Sequence, residues 1–304
     1  MGEIKIRLSN LNKYYNDFHV LDNLSLSVEK GKIFAYLGPN GAGKTSTIKL
    51  LIGLSKPSSG EVKILDKNPY GKKEAIIVKE KIGVMLDSAT MYLDLTGLEK
   101  LIYWGELCGL SNEKLEKIAN ELMDTLKLSD WKNSKVSHYS HGMKKRLAFA
   151  RAIIHNPEII ILDEPTNGVD FESRELIREL IKKLAKEGRT IFFSSHDLEE
   201  VQKICTSLAI INKGKLLFNG SLQDLQDKCL EKEISVVLKD EITLKKFLKT
   251  IEEKTIINID GNMVSFIPTK DIDLNQEDIV SHWIKESSIE SLYKNIISSN
   301  EKNE

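Results

Sequence analysis

Apolar and polar residues alternate at the start of the chain, with Ile4, Ile6 and Leu8 on one side of the period. The same rhythm returns from Val20 to Val28 and runs into a Glu29-Lys30-Gly31 turn. These stretches predict strands, joined in an antiparallel manner, ahead of an apolar run of strand length at Lys32-Ile33-Phe34-Ala35-Tyr36-Leu37. Thr47 to Ile52 then predicts a helix. Beyond a Ser58-Ser59-Gly60 turn, Glu61 to Leu65 and Ile82 to Leu86 predict two short strands.

The spacing then changes from two to between three and four. Leu98 to Leu110, and Leu115, Ile118, Ala119, Leu122, Met123 and Leu126 after it, repeat at helical intervals, with no strand pattern before Glu158. This predicts a helical insertion, residues 88–155, within an α/β domain. Its last helix opens at Ser140-His141-Gly142, carries Leu147, Ala150, Arg151 and Ile154, and stops at Asn156-Pro157.

Ile159 to Leu162 is an apolar strand. Leu176, Ile177, Leu180, Ile181 and Leu184 mark an amphipathic helix, and Thr190 to Ser195 is the next strand. Strand and helix in alternation predict a mostly parallel sheet covered on both faces. From Leu222 the pattern loosens into a strand at Ile234 to Leu238, a helix on Leu244, Phe247, Leu248 and Ile251, and a hairpin across Asp260-Gly261-Asn262. A last helix on Ile289, Leu292, Tyr293, Ile296 and Ile297 follows. Residues 231–298 are therefore expected to form a small α+β appendage, and Ser298 to Glu304 a frayed tail.

A chain of 304 residues accommodates one large core and this second unit. Its 44 basic and 45 acidic residues leave a net charge of −1, so no basic field points to nucleic acid. The three cysteines, Cys108, Cys205 and Cys229, form no CxxC pair, which suits a reducing compartment and excludes a disulfide framework. No apolar run approaches the ~18 residues of a membrane span, and no signal sequence is expected. Any work at a membrane would pass through another chain.

The chemistry is concentrated in Gly38-Pro39-Asn40-Gly41-Ala42-Gly43-Lys44-Thr45, a match to G-x-x-x-x-G-K-[ST] between an apolar strand and a helix. In that setting backbone N–H groups and the helix N-terminus face a di- or triphosphate, Lys44 reaches the β- and γ-phosphates, and Thr45 offers a hydroxyl to Mg²⁺. The strand at 159–162 delivers Asp163, which holds Mg²⁺ directly or through water, and Glu164, placed as general base toward a water attacking the γ-phosphate, with capping of a turn as the alternative. His196, at the end of the next strand, is either a γ-phosphate contact or a structural histidine. Tyr14 and Tyr15 are either purine-stacking aromatics or packing residues.

Over roughly residues 3–225 the chain resembles the ATP-binding subunit of ABC transporters. Five segments occur in that family's order: Lys13-Tyr14-Tyr15, GPNGAGKTS at 38–46, YSHGMKKRLAFARA at 139–152, IIILDEPTNGVD at 159–170, and SSHDLEE at 194–200. The resemblance implies a P-loop ABC cassette of residues 3–225 that hydrolyses ATP with Mg²⁺. It extends the ATP site through Ser46, stacks Tyr15 on adenine, and makes Glu164 and His196 the groups at the γ-phosphate. It also implies a head-to-tail pair, with a second copy or close paralogue. There Ser140, His141, Gly142 and Met143 meet the nucleotide of the other cassette, and Asp170 lies at the seam.

Two positions depart from the family's pattern. Its signature LSGGQ reads Tyr139-Ser140-His141-Gly142-Met143 here, keeping the serine and second glycine. Asp87 stands where Gln is usual, and is expected either to face the Mg²⁺ and attacking water or to point to solvent. The YS-x-GM form, Leu95 to Leu101 and the C-terminal extension resemble the branch serving exporters of drugs, peptides or ions with separate membrane subunits. The expected partner is such a permease, at the cytoplasmic face of the membrane. A soluble ABC ATPase of DNA repair or translation is the alternative, against which stand the single cassette and the absence of a long heptad tract or basic patch. A purely regulatory ATP-binding module would not need Lys44, Asp163, Glu164 and His196 together.

Overall fold

The computed structural model describes residues 2–86, 93–227, 232–251, 256–266, 268, 272, 274, 278–286 and 289–301. Two compact units are present, Met1–Asn219 and Gly220–Glu304. In the first, β1 (Ile4–Tyr15) pairs antiparallel with both β2 (Phe18–Glu29) and β4 (Ser59–Ile64), giving the sheet order β2-β1-β4. Alternation sends Leu8, Leu24, Leu26 and Val62 into one continuous core with α1 (Lys44–Leu51) and the central sheet.

That central sheet contains β3 (Ile33–Leu37), β5 (Ile82–Met85), β6 (Ile159–Asp163), β7 (Thr190–Ser195), β8 (Ser207–Asn212) and β9 (Lys215–Ser221). Its order is β5-β6-β7-β3-β8-β9, and the first five strands are mutually parallel. β3 and β6 are fully buried, as apolar strands covered on both faces must be. The strand β9 follows β8 through Lys213 and Gly214, both at positive φ (44° and 78°), the backbone of a tight two-residue hairpin.

Short helices α2 (Glu74–Lys81) and α7 (Leu198–Ile204) lie outside the sequence-predicted elements, as do β8 and β9. The reason for α2 is visible. Only Val78 of it is buried, while Ile76 and Ile77 face out, so its apolar spacing carries no core stripe.

The predicted helical insertion consists of α3 (Gly97–Leu107), α4 (Asn112–Thr125) and α5 (His141–Ile153). A capping box starts α3, with Glu99 N–H donating to Thr96 Oγ1 at 3.2 Å and Thr96 N–H donating to Glu99 Oε2 at 2.8 Å. Leu101, Leu115, Ala119, Met123 and Leu147 are all essentially buried. The long helix α6 (Phe171–Lys186) is capped by Asp170 and is tied to α7 by the buried pair of Arg178 and Glu200.

The second unit starts with α8 (Leu222–Asp227) and contains β10 (Lys232–Leu238), α9 (Glu241–Leu248), β11 (Ile256–Asp260), β12 (Met263–Phe266), β13 (Ile279–Glu286) and α10 (Ile289–Glu301). Its sheet runs β11-β12-β10-β13 around a core of Val236, Phe247, Val264 and Phe266. The predicted hairpin is β11–β12. The expected frayed tail is corrected for its first part: Ser298 to Glu301 continue α10, with the Ser298 hydroxyl donating to the Lys294 carbonyl at 2.8 Å, and residues 302–304 lie outside the described residues. No helix among the described residues is long and apolar enough to cross a membrane.

Candidate functional site

A cleft of about 420 Å³ opens at the C-terminal ends of β3 and β6, lined by Asn40, Gly41, Lys44, Ser46, Asp163 and Glu164 among others. In parallel sheets this edge is where ligands bind, because helix N-termini and strand-end loops converge there. The glycine-rich loop is held on both sides by backbone hydrogen bonds. Gly38 N–H donates to Ser195 O at 3.1 Å, and Gly214 N–H donates to Ala42 O at 3.0 Å. Gly43 sits at φ 103°, and a Cβ there would lie 2.7 Å from Leu21 Cδ2, so the tight curl needs glycine twice over.

Lys44 is 6% exposed, and its ammonium donates to the carbonyls of Gly38 at 2.7 Å and Pro39 at 3.1 Å. It also lies 3.2 Å from Glu164 Oε1. The other carboxylate oxygen, Oε2, is 2.9 Å from His196 Nδ1. Glu164 is thus bracketed by a cation and an imidazole, and the histidine is half-exposed.

Thr45 Oγ1 donates to Asp163 Oδ2 at 3.1 Å, which brings two of the three sequence-predicted metal ligands together. The Ser194 hydroxyl donates to Asp163 Oδ1 at 2.6 Å and accepts the Glu164 N–H at 3.0 Å. Sequence reasoning assigned no role to Ser194. Its signal is a polar residue at the buried C-terminal end of an apolar strand. Lys145, also unassigned, is 6% exposed, and its ammonium donates to the Glu164 carbonyl at 3.0 Å.

Of the two tyrosines, Tyr14 stacks on His19, with ring centroids 4.0 Å apart and planes 5° from parallel. Tyr15 is 42% exposed, with Lys13 Nζ 4.8 Å from its ring centre.

The signature residues gather at the start of α5. Ser140 is its N-cap, its hydroxyl accepting the Met143 N–H at 3.2 Å. Gly142 is buried against Asp170 and Ser173 at the start of α6, and His141 lies against Gly168. Asp170 accepts the Ser173 N–H at 2.8 Å and the Ser173 hydroxyl at 2.9 Å. Those two bonds hold its carboxyl below the usual aspartate range. Asp87 lies outside the described residues.

A second concavity, about 450 Å³, is apolar and lies between β5, α3 and α5, lined by Ile82, Val84, Leu86, Trp104, Cys108 and Arg151 among others. The Arg151 guanidinium sits 5.1 Å from the centre of the Trp104 ring. Among the described residues the buried Lys100 Nζ and Arg151 Nε have no hydrogen-bond partner. Burial and the neighbouring Arg151 push the Lys100 amine down to about 8.

Comparison with known proteins agrees with this geometry. The family described as ABC transporter matches residues 21–167. An uncharacterised ABC transporter ATP-binding protein of Bacillus subtilis, YcbN, is 35% identical over 306 residues, covering 97% of each chain. The linearmycin resistance ATP-binding protein LnrL of the same species is 36% identical over 220 residues, 72% of this chain and 70% of its own. Bacitracin transport protein BcrA of Bacillus licheniformis is 39% identical over 213 residues, 70% and 68% of the two chains. Among solved structures, an ATP-binding cassette captured as a dimer in a post-hydrolysis state with ADP and Pi superposes with TM-score 0.66. It is 28% identical to this chain and covers 71% of it and 98% of its own length.

Proposed function

The chain belongs to the ATP-binding subunits of ABC transporters, and on that premise we propose that it binds Mg·ATP in the cleft above β3 and β6 and spends it on transport through a separate membrane subunit. The observation that carries this reading is the Glu164 carboxylate, held between Lys44 and His196 at adjoining loop and strand ends. Without nucleotide, the Lys44 ammonium is the carboxylate's counter-ion. Phosphate charge competes for that ammonium, leaving Glu164 as a freer base for water beside the γ-phosphate. The water oxygen forms the new bond to phosphorus, Glu164 takes its proton, and the bond to the β-phosphate oxygen breaks to release ADP.

Thr45 Oγ1 and Asp163 Oδ2 fit magnesium by their chemistry. Both are hard oxygen donors, 3.1 Å apart beside the phosphate loop, and such a metal is usually held by one or two carboxylates plus phosphates. When bound, the ion neutralises charge on the β- and γ-phosphates. Tyr15 takes the adenine, since Tyr14 is already stacked on His19. The start of α5, with Ser140, His141, Gly142 and Met143, and Asp170 beside it, serves the nucleotide of a second cassette, a copy or close paralogue. A helix N-terminus is a ready anion site.

The membrane subunit docks in the apolar groove between β5, α3 and α5. Arg151, which lines this groove with its buried Nε unpartnered among the described residues, favours an apolar helix carrying a carboxylate. The cargo class is a drug, peptide or ion leaving the cell; in support, one relative is named for bacitracin transport and another for linearmycin resistance.

The test is a pair of variants. Lys44→Ala should lose ATP binding, whereas Glu164→Gln should bind ATP, stop turnover and accumulate as an ATP-bound dimer on gel filtration. A Glu164→Gln protein that still hydrolyses ATP would overturn the assignment of the base.

A further inference from the structure

Glu164 occupies an unusual backbone state. Its φ is 48°, a left-handed conformation in a residue with a full side chain, directly before Pro165. Side chains disfavour that region by roughly 1–2 kcal/mol, and a following proline restricts the backbone further. Such a conformation persists only when the surroundings over-determine it. Here both backbone groups of Glu164 are held from other elements. Ser194 Oγ on β7 takes its N–H at 3.0 Å, and Lys145 Nζ on α5 donates to its carbonyl at 3.0 Å. The Asn167 N–H also reaches that carbonyl, at 3.3 Å, from the turn that follows.

Lys145 is a costly way to make such a bond, because a lysine that is 6% exposed has given up most of its hydration. Its ammonium offers a charge-assisted hydrogen bond, stronger than any neutral donor at that place. The left-handed backbone sets the direction of the Glu164 Cα–Cβ bond, and hence where the carboxylate stands between Lys44 and His196. A return to the extended region would swing that bond away from both.

We propose that Lys145 is a positioning residue for ATP hydrolysis, its buried ammonium fixing the peptide after Glu164 and so aiming the Glu164 carboxylate. Lys145 touches no reacting atom in this scheme, and the effect proposed here passes through the Glu164 carbonyl. The inference rests on Glu164 being the base. It adds that the helix α5, opened by Ser140, is bonded through its second turn to the residue that activates water.

Steady-state ATPase assays of the full chain, with equilibrium ATP binding measured in parallel, test it. Lys145→Met keeps most of the apolar stem and removes the donor. Its kcat should fall on the order of 10- to 100-fold, the scale of a misplacement of about 1 Å at a reacting group, while KM and ATP affinity stay within about twofold. Lys145→Arg, which keeps a cationic donor, should recover most of the kcat. In the Glu164→Gln background, adding Lys145→Met should leave the ATP-bound dimer intact.

Unchanged kcat in Lys145→Met, with Glu164→Gln inactive, would overturn the positioning role and leave the base assignment standing. Active Glu164→Gln would remove the base itself. A parallel loss of kcat, ATP affinity and thermal stability in Lys145→Met would mark the lysine as structural packing, also against the proposal.

Discussion

Replacing Gly142 with alanine separates two uses of the same glycine. A Cβ at this position would stand 2.4 Å from Asp170 Oδ2 and 2.7 Å from Ser173 Oγ, about 1 Å inside ordinary contact. Neither oxygen is free to leave. Asp170 caps α6 by accepting the Ser173 N–H at 2.8 Å and the Ser173 hydroxyl at 2.9 Å. Relief therefore requires opening the cap or backing the start of α5 away from α6. Overpacking of this kind costs about 1–3 kcal/mol, and loss of an aspartate cap about 1 kcal/mol. A destabilisation of about 2 kcal/mol follows, equivalent to a Tm lower by roughly 4–8 °C for a unit of this size.

The assay is thermal unfolding without nucleotide, where no second cassette is engaged. Asp170→Ala alone should cost about 1 kcal/mol through the lost cap, but the double variant should be more stable than additivity predicts, by about 1 kcal/mol or more. An unchanged Tm in Gly142→Ala, or strictly additive losses in the double variant, would refute the packing argument and leave only the contact proposed across a pair of cassettes.

Lys100 supplies a pH dependence with a definite sign. Its folded pKa of about 8 lies below the ordinary 10.5, so between those values the unfolded chain holds a proton that the folded chain does not, and stability rises with pH across that window. Tm of the isolated subunit should climb from pH 8 toward 10, and the climb should flatten in Lys100→Met; an unaltered slope would remove Lys100 as its source. Tyr15→Leu should weaken ATP binding on the order of tenfold, the scale of one lost base stack, while Tyr14→Leu should leave it nearly unchanged. Equal effects in a fluorescent-nucleotide titration would argue against Tyr15 as the adenine platform. A chain ending at Asp227 should bind ATP as well as the full chain, because every residue assigned to the nucleotide precedes it; folded material that fails to bind would contradict this.

Sequence periodicity located β3, β6 and β7 well because their apolar runs are uninterrupted, and it placed Asp163, Glu164 and His196 at strand ends for the same reason. The phosphate loop was legible because phosphate binding constrains the backbone itself, and so forces glycines into fixed positions. β13 was missed because its outer positions break the alternation: Val280, Trp283 and Ile284 are all exposed. The first part of the tail was misjudged because Ser298 to Glu301 carry no apolar residue, yet they extend a helix already nucleated by Leu292 and its neighbours. Lys145 and Ser194 were invisible for a different reason. Each acts on the backbone of Glu164, and no residue pattern records which carbonyl or N–H a distant side chain will meet.

The position of β3 between β7 and β8 has a consequence for how the protein is made. Its residues Ile33 to Leu37 align with Ile191 to Ser195 on one side, and Phe34 to Leu37 align with Ser207 to Ile210 on the other. The loop that follows is braced by Ser195 and Gly214. All these partners leave the ribosome about 145 to 170 residues after the loop itself. At 5–20 residues per second, the glycine-rich segment waits on the order of 10–30 s with no neighbouring strand to hold it. During that interval ATP has no formed pocket to enter, so nucleotide can stabilise the finished cassette but cannot guide the early nascent chain. Damage to β8 or its turn would therefore be felt during synthesis as a loop left open to chaperones and proteases, although the damaged residues touch no phosphate.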